Sequence, residues 1–262
     1  MKIRNFLLLA TWATSLTLAA PAVAGTFDGG MPVNWRCAGS CGTSAANGVV
    51  SLAPGGGSAY GWISSYNSSS AVALPGVGGV GEAANGSLLR SVSFMADANA
   101  ALDFRFNYVT TDGADYADYA WARLLDADNQ QVALLFTART SEDGNAIPGF
   151  DMPVSAATLS PFPVGVAPGQ TKWAPLGPDS DECYDAGCGA TGWVRAQFSI
   201  ANAGKYRLEF GVTNWDDQDF DSGLAFDAIT VGGAPLPIPE PRQAALLLAG
   251  LAMLGTLKRL AR

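Results

Sequence analysis

The 262-residue sequence contains no histidine. That absence removes Ser-His-Asp and Cys-His catalysis, zinc sites built on imidazole, and most general-base chemistry near neutral pH. Basic side chains are scarce as well. Residues 25–238 hold nine of them against 22 acidic ones, a net charge of −13. Such a region repels nucleic-acid phosphates, and it repels anionic polysaccharide or lipid unless divalent cations bridge the two. Only four glutamates fall in that region: Glu82, Glu142, Glu182 and Glu209. Glu209 reads as an outward strand residue and Glu182 adjoins a cysteine, so no acid pair for glycoside hydrolysis stands out. No C-x-x-C redox motif occurs. The run LPGVGGVGEAANGS lacks the preceding strand, following helix and lysine of a phosphate cradle. These absences predict a protein without catalysis and without a nucleic-acid partner.

The two ends carry targeting information. Lys2 and Arg4 precede an apolar stretch from Phe6 to Ala20, followed by Ala22-Val23-Ala24 before Gly25. This is the layout of a secretory signal peptide (1–24) cut between Ala24 and Gly25. At the other end, Ala244–Leu257 is 14 apolar residues, about 21 Å of helix against a bilayer core of about 30 Å. Pro241 blocks its extension upstream. Lys258, Arg259 and Arg262 can snorkel and hold its last turn at the cytoplasmic side. The segment is marginal as a permanent span.

The region between reads as all-β. In LDFRFNY, Leu102, Phe104, Phe106 and Tyr108 share one face and Asp103, Arg105 and Asn107 the other. That alternation marks a half-buried strand. DYAWARLLDADNQQVALLFTA reads as two strands joined by DADNQ. WVRAQFSI points Val194, Ala196, Phe198 and Ile200 inward, and KYRLEFGV does the same with Tyr206, Leu208, Phe210 and Val212. GLAFDAITV is the last strand, and GVVSLA and YGWISSY are earlier ones. Strands at regular spacing with no helix between them predict an antiparallel β-sandwich over 25–236, in a jelly-roll arrangement. The proline-rich segment at about 149–192 breaks the rhythm and reads as a long functional or mobile loop.

Four cysteines occur as two close pairs, Cys37 with Cys41 and Cys183 with Cys188. An even count in an exported protein implies disulfides, and of the three connectivities local closure is expected.

Pro239-Glu240-Pro241, then one hydrophobic helix, then a basic tip at the extreme C-terminus resembles the PEP-CTERM sorting signal of Gram-negative bacteria. The resemblance covers 237–262. It implies export through the inner membrane, transient tethering there, processing by an exosortase, and delivery to the cell surface or extracellular matrix in company with exopolysaccharide and biofilm. DYADYAWARLL and GVTNWDDQDFDSGLAFDAITV resemble the jelly-roll ectodomains often carried by such proteins. Asp221, Ser222, Leu224, Asp227 and Ile229 fall on the D-S-x-L-x-x-D-x-I/V pattern of their closing strand.

Asp216, Asp217, Asp219, Asp221 and Asp227 form a candidate calcium set, since calcium prefers six to eight oxygens. It is not an EF-hand: Gly223 falls one residue late and Ala228 occupies the twelfth position from Asp217. Asp227 lies in a strand apolar on both faces and needs a partner, either loop amides or an arginine such as Arg195 or Arg207. Asp112, Asp115 and Asp118 read as a solvated turn. Trp62, Trp173, Trp193 and Trp215 lie in or beside loops, where a flat ring can stack on a sugar; Trp173 and Trp215 are the preferred pair. The expectation is a non-catalytic glycan-binding module that holds extracellular polysaccharide, with calcium as a candidate cofactor. A structural or adhesive matrix component binding proteins or itself is the alternative.

Overall fold

The computed structural model describes residues 25–116, 118–139, 141 and 144–236. The signal segment, the cleavage residue Ala24 and the sorting tail lie outside the described residues. Among the described residues no helix is long and apolar enough to cross a membrane.

Two antiparallel sheets pack face to face. Sheet A runs β1 (Arg36–Ala38), β4 (Ala83–Arg90), β15 (Gly204–Trp215), β7 (Tyr119–Leu125) and β8 (Gln131–Arg139), with β5 (Phe94–Ala96) also on β15. Sheet B runs β10 (Thr158–Ser160), β14 (Val194–Ile200), β6 (Ala100–Thr110), β16 (Ser222–Val231), β3 (Tyr60–Ser64) and β2 (Ser40–Ser44). β13 (Gly189–Ala190) joins β6 and β12 (Ala167–Pro168), while β17 (Ala234–Pro235) joins β16. β9 (Asn145–Ile147) and β11 (Val164–Gly165) form a separate pair.

The predicted alternation sets the core. Leu102, Phe104, Phe106 and Tyr108 of β6 and Tyr206, Leu208, Phe210 and Val212 of β15 are all buried. Phe106 stacks on Phe136 at 3.6 Å between ring centres, and Phe210 stacks on Phe226 at 4.1 Å. Each pair joins one sheet to the other. A buried phenylalanine contributes about 1.5–3 kcal/mol by leaving water, so truncating Phe210 would open the centre of the sandwich.

Loops then cover the outer faces. On sheet A, Leu74, Tyr119, Trp121, Leu134 and Trp215 form a second cluster. On sheet B, Val50, Tyr60, Val109, Trp173, Leu176 and Ala225 form a third. The proline-rich segment supplies part of both covers: Ala156 donates to the Leu134 carbonyl, and Trp173 packs into the third cluster. The segment is therefore laid down on the sheets, and it contains β10 to β13.

Residues 48–53 do not form the expected strand. Gly48 has a left-handed backbone, and Val49 donates to the Lys172 carbonyl, so this segment bonds to the covering loop. Both cysteine pairs close locally, Cys37 to Cys41 across β1 and β2, and Cys183 to Cys188 ahead of β13. Loops this short remove little disorder from the unfolded chain, about 2 kcal/mol each. They fix local geometry more than they hold the fold.

Candidate functional site

The four loop tryptophans separate sharply. Trp173 is fully buried, and its indole N–H donates to the Tyr60 hydroxyl at 2.9 Å. Trp215 is buried beneath the Arg139 guanidinium, 4.9 Å from its ring centre, and its N–H donates to the Val80 carbonyl. Neither presents a face to solvent, which corrects their expected role as sugar platforms. The physical reason is that the loop carrying Trp173 folds back over sheet B, whereas Trp215 ends β15 and is covered by Arg139 and the segment carrying Leu74 and Val80. Trp193 is half-buried, edge-on to Tyr60, and its indole N–H donates to the Ser51 carbonyl.

Trp62 behaves differently. It is half-buried on the outer face of β3 and lines a groove of about 320 Å³ with Tyr66, Ser40, Thr43, Ser44 and Asn67. Opposite it in register on β2 is Gly42, and a Cβ there would overlap the indole. Tyr66 is similarly seated over Gly177, whose left-handed backbone and lack of a side chain leave room for the phenol ring. Two rings thus rest on glycines while lining one groove. Past Tyr66 and Asn67 the groove runs into an acidic cleft lined by Asn85, Asp179, Asp219 and Asp221.

That cleft opens at one end of the sandwich, where the loops after β3, β6 and β15 meet. Here the expected solvated turn holds for Asp115, which is exposed, but Asp112 and Asp118 are buried. Asp118 accepts from the Trp215 backbone N–H at 2.8 Å, and Ser222 Oγ lies 2.6 Å from its other oxygen. Burial holds its pKa well above the usual carboxylate range, with the nearby Asp112 charge adding to the rise. Asp112 is pushed up to about 8 by burial, reinforced by Asp217 and Asp219. Asp221 accepts from Ser65 Oγ at 2.7 Å and sits at about 6, raised first by burial and then by Asp179.

The five expected calcium ligands do not gather. Asp216 is exposed and turned toward Gly81, and Asp217 accepts from the Asp219 N–H in a local turn. Asp221 is tied to Ser65 and Asn214. Asp227 is six residues beyond Asp221, roughly 20 Å at strand spacing, and joins none of them. Among the described residues no three acidic, cysteine or histidine side chains are grouped to hold a metal ion. In this arrangement the five carboxylates do not form one calcium cage.

Asp227 resolves in favour of loop amides. It is fully buried at a bulge where Ala228 takes a left-handed backbone, and one oxygen accepts from the Gly57 N–H. Arg195 pairs with Asp103 and Arg207 with Asn129. Burial raises the Asp227 carboxyl to about 6 despite the amides.

No family model matches the chain, and no curated protein matches it. Among solved structures it is similar to the K1 cleaved adhesin domain of Lys-gingipain from Porphyromonas gingivalis, with 13% identity, 77% of this chain and 92% of that chain covered, and TM-score 0.35. The K3 cleaved adhesin domain of the same protein gives 14%, 78%, 95% and 0.35. An exo-beta-agarase gives 13%, 84%, 25% and 0.32, so this chain spans a quarter of it. Similarity this distant fixes no function.

Proposed function

We propose that this is an exported surface or matrix module, a jelly-roll ectodomain that holds a glycan without cleaving it. One observation carries the reading: Trp62 and Tyr66 line a single groove whose other side chains there include hydroxyls and a carboxamide. Aromatic faces suit the C–H faces of a pyranose, and Ser40, Thr43, Ser44 and Asn67 suit its hydroxyls. Two formed disulfides fit an oxidising exterior. The sorting tail supplies the route in this reading. Glu240→Ala should leave uncleaved precursor in the membrane, and normal processing of that variant would contradict exosortase sorting.

The binding test mixes the purified protein with the exopolysaccharide of its producing organism and follows bound protein and released sugar. Saturable binding without sugar release is expected, weakened roughly tenfold by Trp62→Ala or Tyr66→Ala. Release of sugar would make the protein a hydrolase. Binding unchanged in both variants would remove the groove.

A second reading, an adhesive module, is favoured by Val154 and Phe162, which are 89% and 65% exposed beside an apolar cleft walled by Ile147, Pro148 and Leu159. Loss of cell or protein attachment in Phe162→Ser, with glycan binding intact, would support it.

A further inference from the structure

The strands of sheet A bring arginines together in a protein that has few of them. In register, Arg36 of β1 faces Arg90 of β4, Arg90 faces Glu209 of β15, and Glu209 faces Arg123 of β7. Arg207, two residues before Glu209, projects from the same face. Glu209 is fully buried and pairs with the Nε of both Arg90 and Arg123. It takes one N–H of each guanidinium.

Arg36 gains nothing from this. Like charges directly opposite on an antiparallel pair are destabilising, and Arg36 makes no ion pair among the described residues. Glu209 offsets the charge of Arg90, and no carboxylate among the described residues pairs with Arg36. Above the row lies a pocket of about 380 Å³ lined by Arg36, Arg90, Arg207, Asn34, Ser91 and Asn129, among others. Arg207 Nη1 donates to Asn129 Oδ1 at 2.6 Å, which steadies the third guanidinium at the rim. No carboxylate lines this pocket.

We infer that this pocket on the outer face of sheet A binds an acidic sugar, with the carboxylate of a hexuronate between Arg36, Arg90 and Arg207 and its hydroxyls on Asn34 and Asn129. A planar carboxylate matches the guanidinium fork. The incoming charge also relieves the repulsion between Arg36 and Arg90. This site is separate from the Trp62–Tyr66 groove, which lies on the outer face of the opposite sheet. The overall negative charge predicts repulsion of acidic polysaccharide, and the arginine row reverses that locally.

The test titrates the full chain, with both disulfides formed, with a trigalacturonate, its methyl ester and a sulfated neutral trisaccharide of the same length. The trigalacturonate should bind saturably and lose affinity as salt rises, and the methyl ester should bind at least about tenfold more weakly. Arg36→Ala and Arg207→Ala should each cost a similar factor, whereas Trp62→Ala should change nothing. Arg36 is exposed and unpaired in the sheet, so its truncation should leave the melting temperature unchanged or slightly higher, which separates lost binding from lost folding. Equal binding of the methyl ester, or full binding by the Arg36→Ala, Arg207→Ala double variant, would overturn the assignment. Preference for the sulfated sugar would overturn the carboxylate. Self-association that the double variant abolishes, with no saccharide bound, would replace the sugar by a second copy's aspartates. Any of these leaves the Trp62–Tyr66 groove to be judged by its own variants.

Discussion

The outer face of sheet A and the loop end of the sandwich both bury carboxylates, and they hold them in opposite ways. On sheet A, Glu209 is buried between two guanidiniums, and both its oxygens accept charged hydrogen bonds. At the loop end, Asp112, Asp118 and Asp221 are buried with hydroxyls and amides as partners and with other aspartates nearby. A neutral donor offsets desolvation only partly, and like charges add to the cost. Burial alone does not decide whether a carboxylate keeps its charge. The neighbours do.

Breaking the paired carboxylate should have the largest effect. Glu209→Ala leaves three guanidiniums facing each other, and urea unfolding should show a loss of about 3 kcal/mol. The value sits at the low end for a broken buried pair because the Arg90 and Arg123 side chains remain 37% and 18% exposed. A loss under about 1 kcal/mol would mean the arginines spread into solvent at little cost.

At the loop end the same operation should be gentler if shape is kept. Asp118→Ala leaves the Trp215 N–H unpaired and should cost about 2 kcal/mol. Asp118→Asn retains an acceptor for that N–H and offers an N–H to Ser222 Oγ, so its cost near pH 8 should stay below about 1 kcal/mol. Equal losses in the two variants would show that the charge at Asp118, and not its shape, matters.

The pH dependence follows from the same contrast. Asp221 and Asp227 titrate at about 6 and Asp112 at about 8 in the fold, above the 3.8 of a free carboxyl. The folded state keeps protons that the unfolded chain has released, so this stability is full below the free value. It declines as pH rises through 6 and then 8. The melting temperature should be lower at pH 8.5 than at pH 5, by several degrees at least, with a shallower slope in Asp118→Asn. A melting temperature that rises over this range would reverse the assignment of these aspartates.

Chelation should have the smallest effect. The five carboxylates singled out for calcium are bonded separately, so EDTA should move the melting temperature by less than about 1 °C. A drop of several degrees would show that Asp217, Asp219 and their neighbours regroup around an ion.

Much of the sandwich was legible because it is local. Period-two alternation at Leu102–Tyr108 and Tyr206–Val212 reports which side chains face the opposite sheet, and both cysteine pairs closed over short spacing as expected. What stayed hidden depends on residues far apart in sequence. Glu209 alternates outward, yet it is buried because Arg90 and Arg123 arrive from two other strands. Asp112 and Asp118 sit in a turn that looks solvated until Trp215 and Ser222 close over it. Trp173 and Trp215 look like exposed loop residues, but the sequence gives no sign that the first loop folds onto sheet B or that the segment with Leu74 and Val80 covers the second at the end of β15. Trp62 stood among four candidates, and only its cross-strand Gly42 distinguishes it.

The seating of Trp62 on Gly42 and of Tyr66 on Gly177 has an entropic consequence. A large ring lying against backbone has already given up most of its rotamers before any ligand arrives. Ordering a free side chain on binding costs about 0.5–1.5 kcal/mol, and here that cost falls on folding instead. Glycine is the residue that makes such a seat possible and the one most expensive to order. The groove is in that sense rigid at the chain's own expense, which favours a ligand that is itself stiff and repetitive.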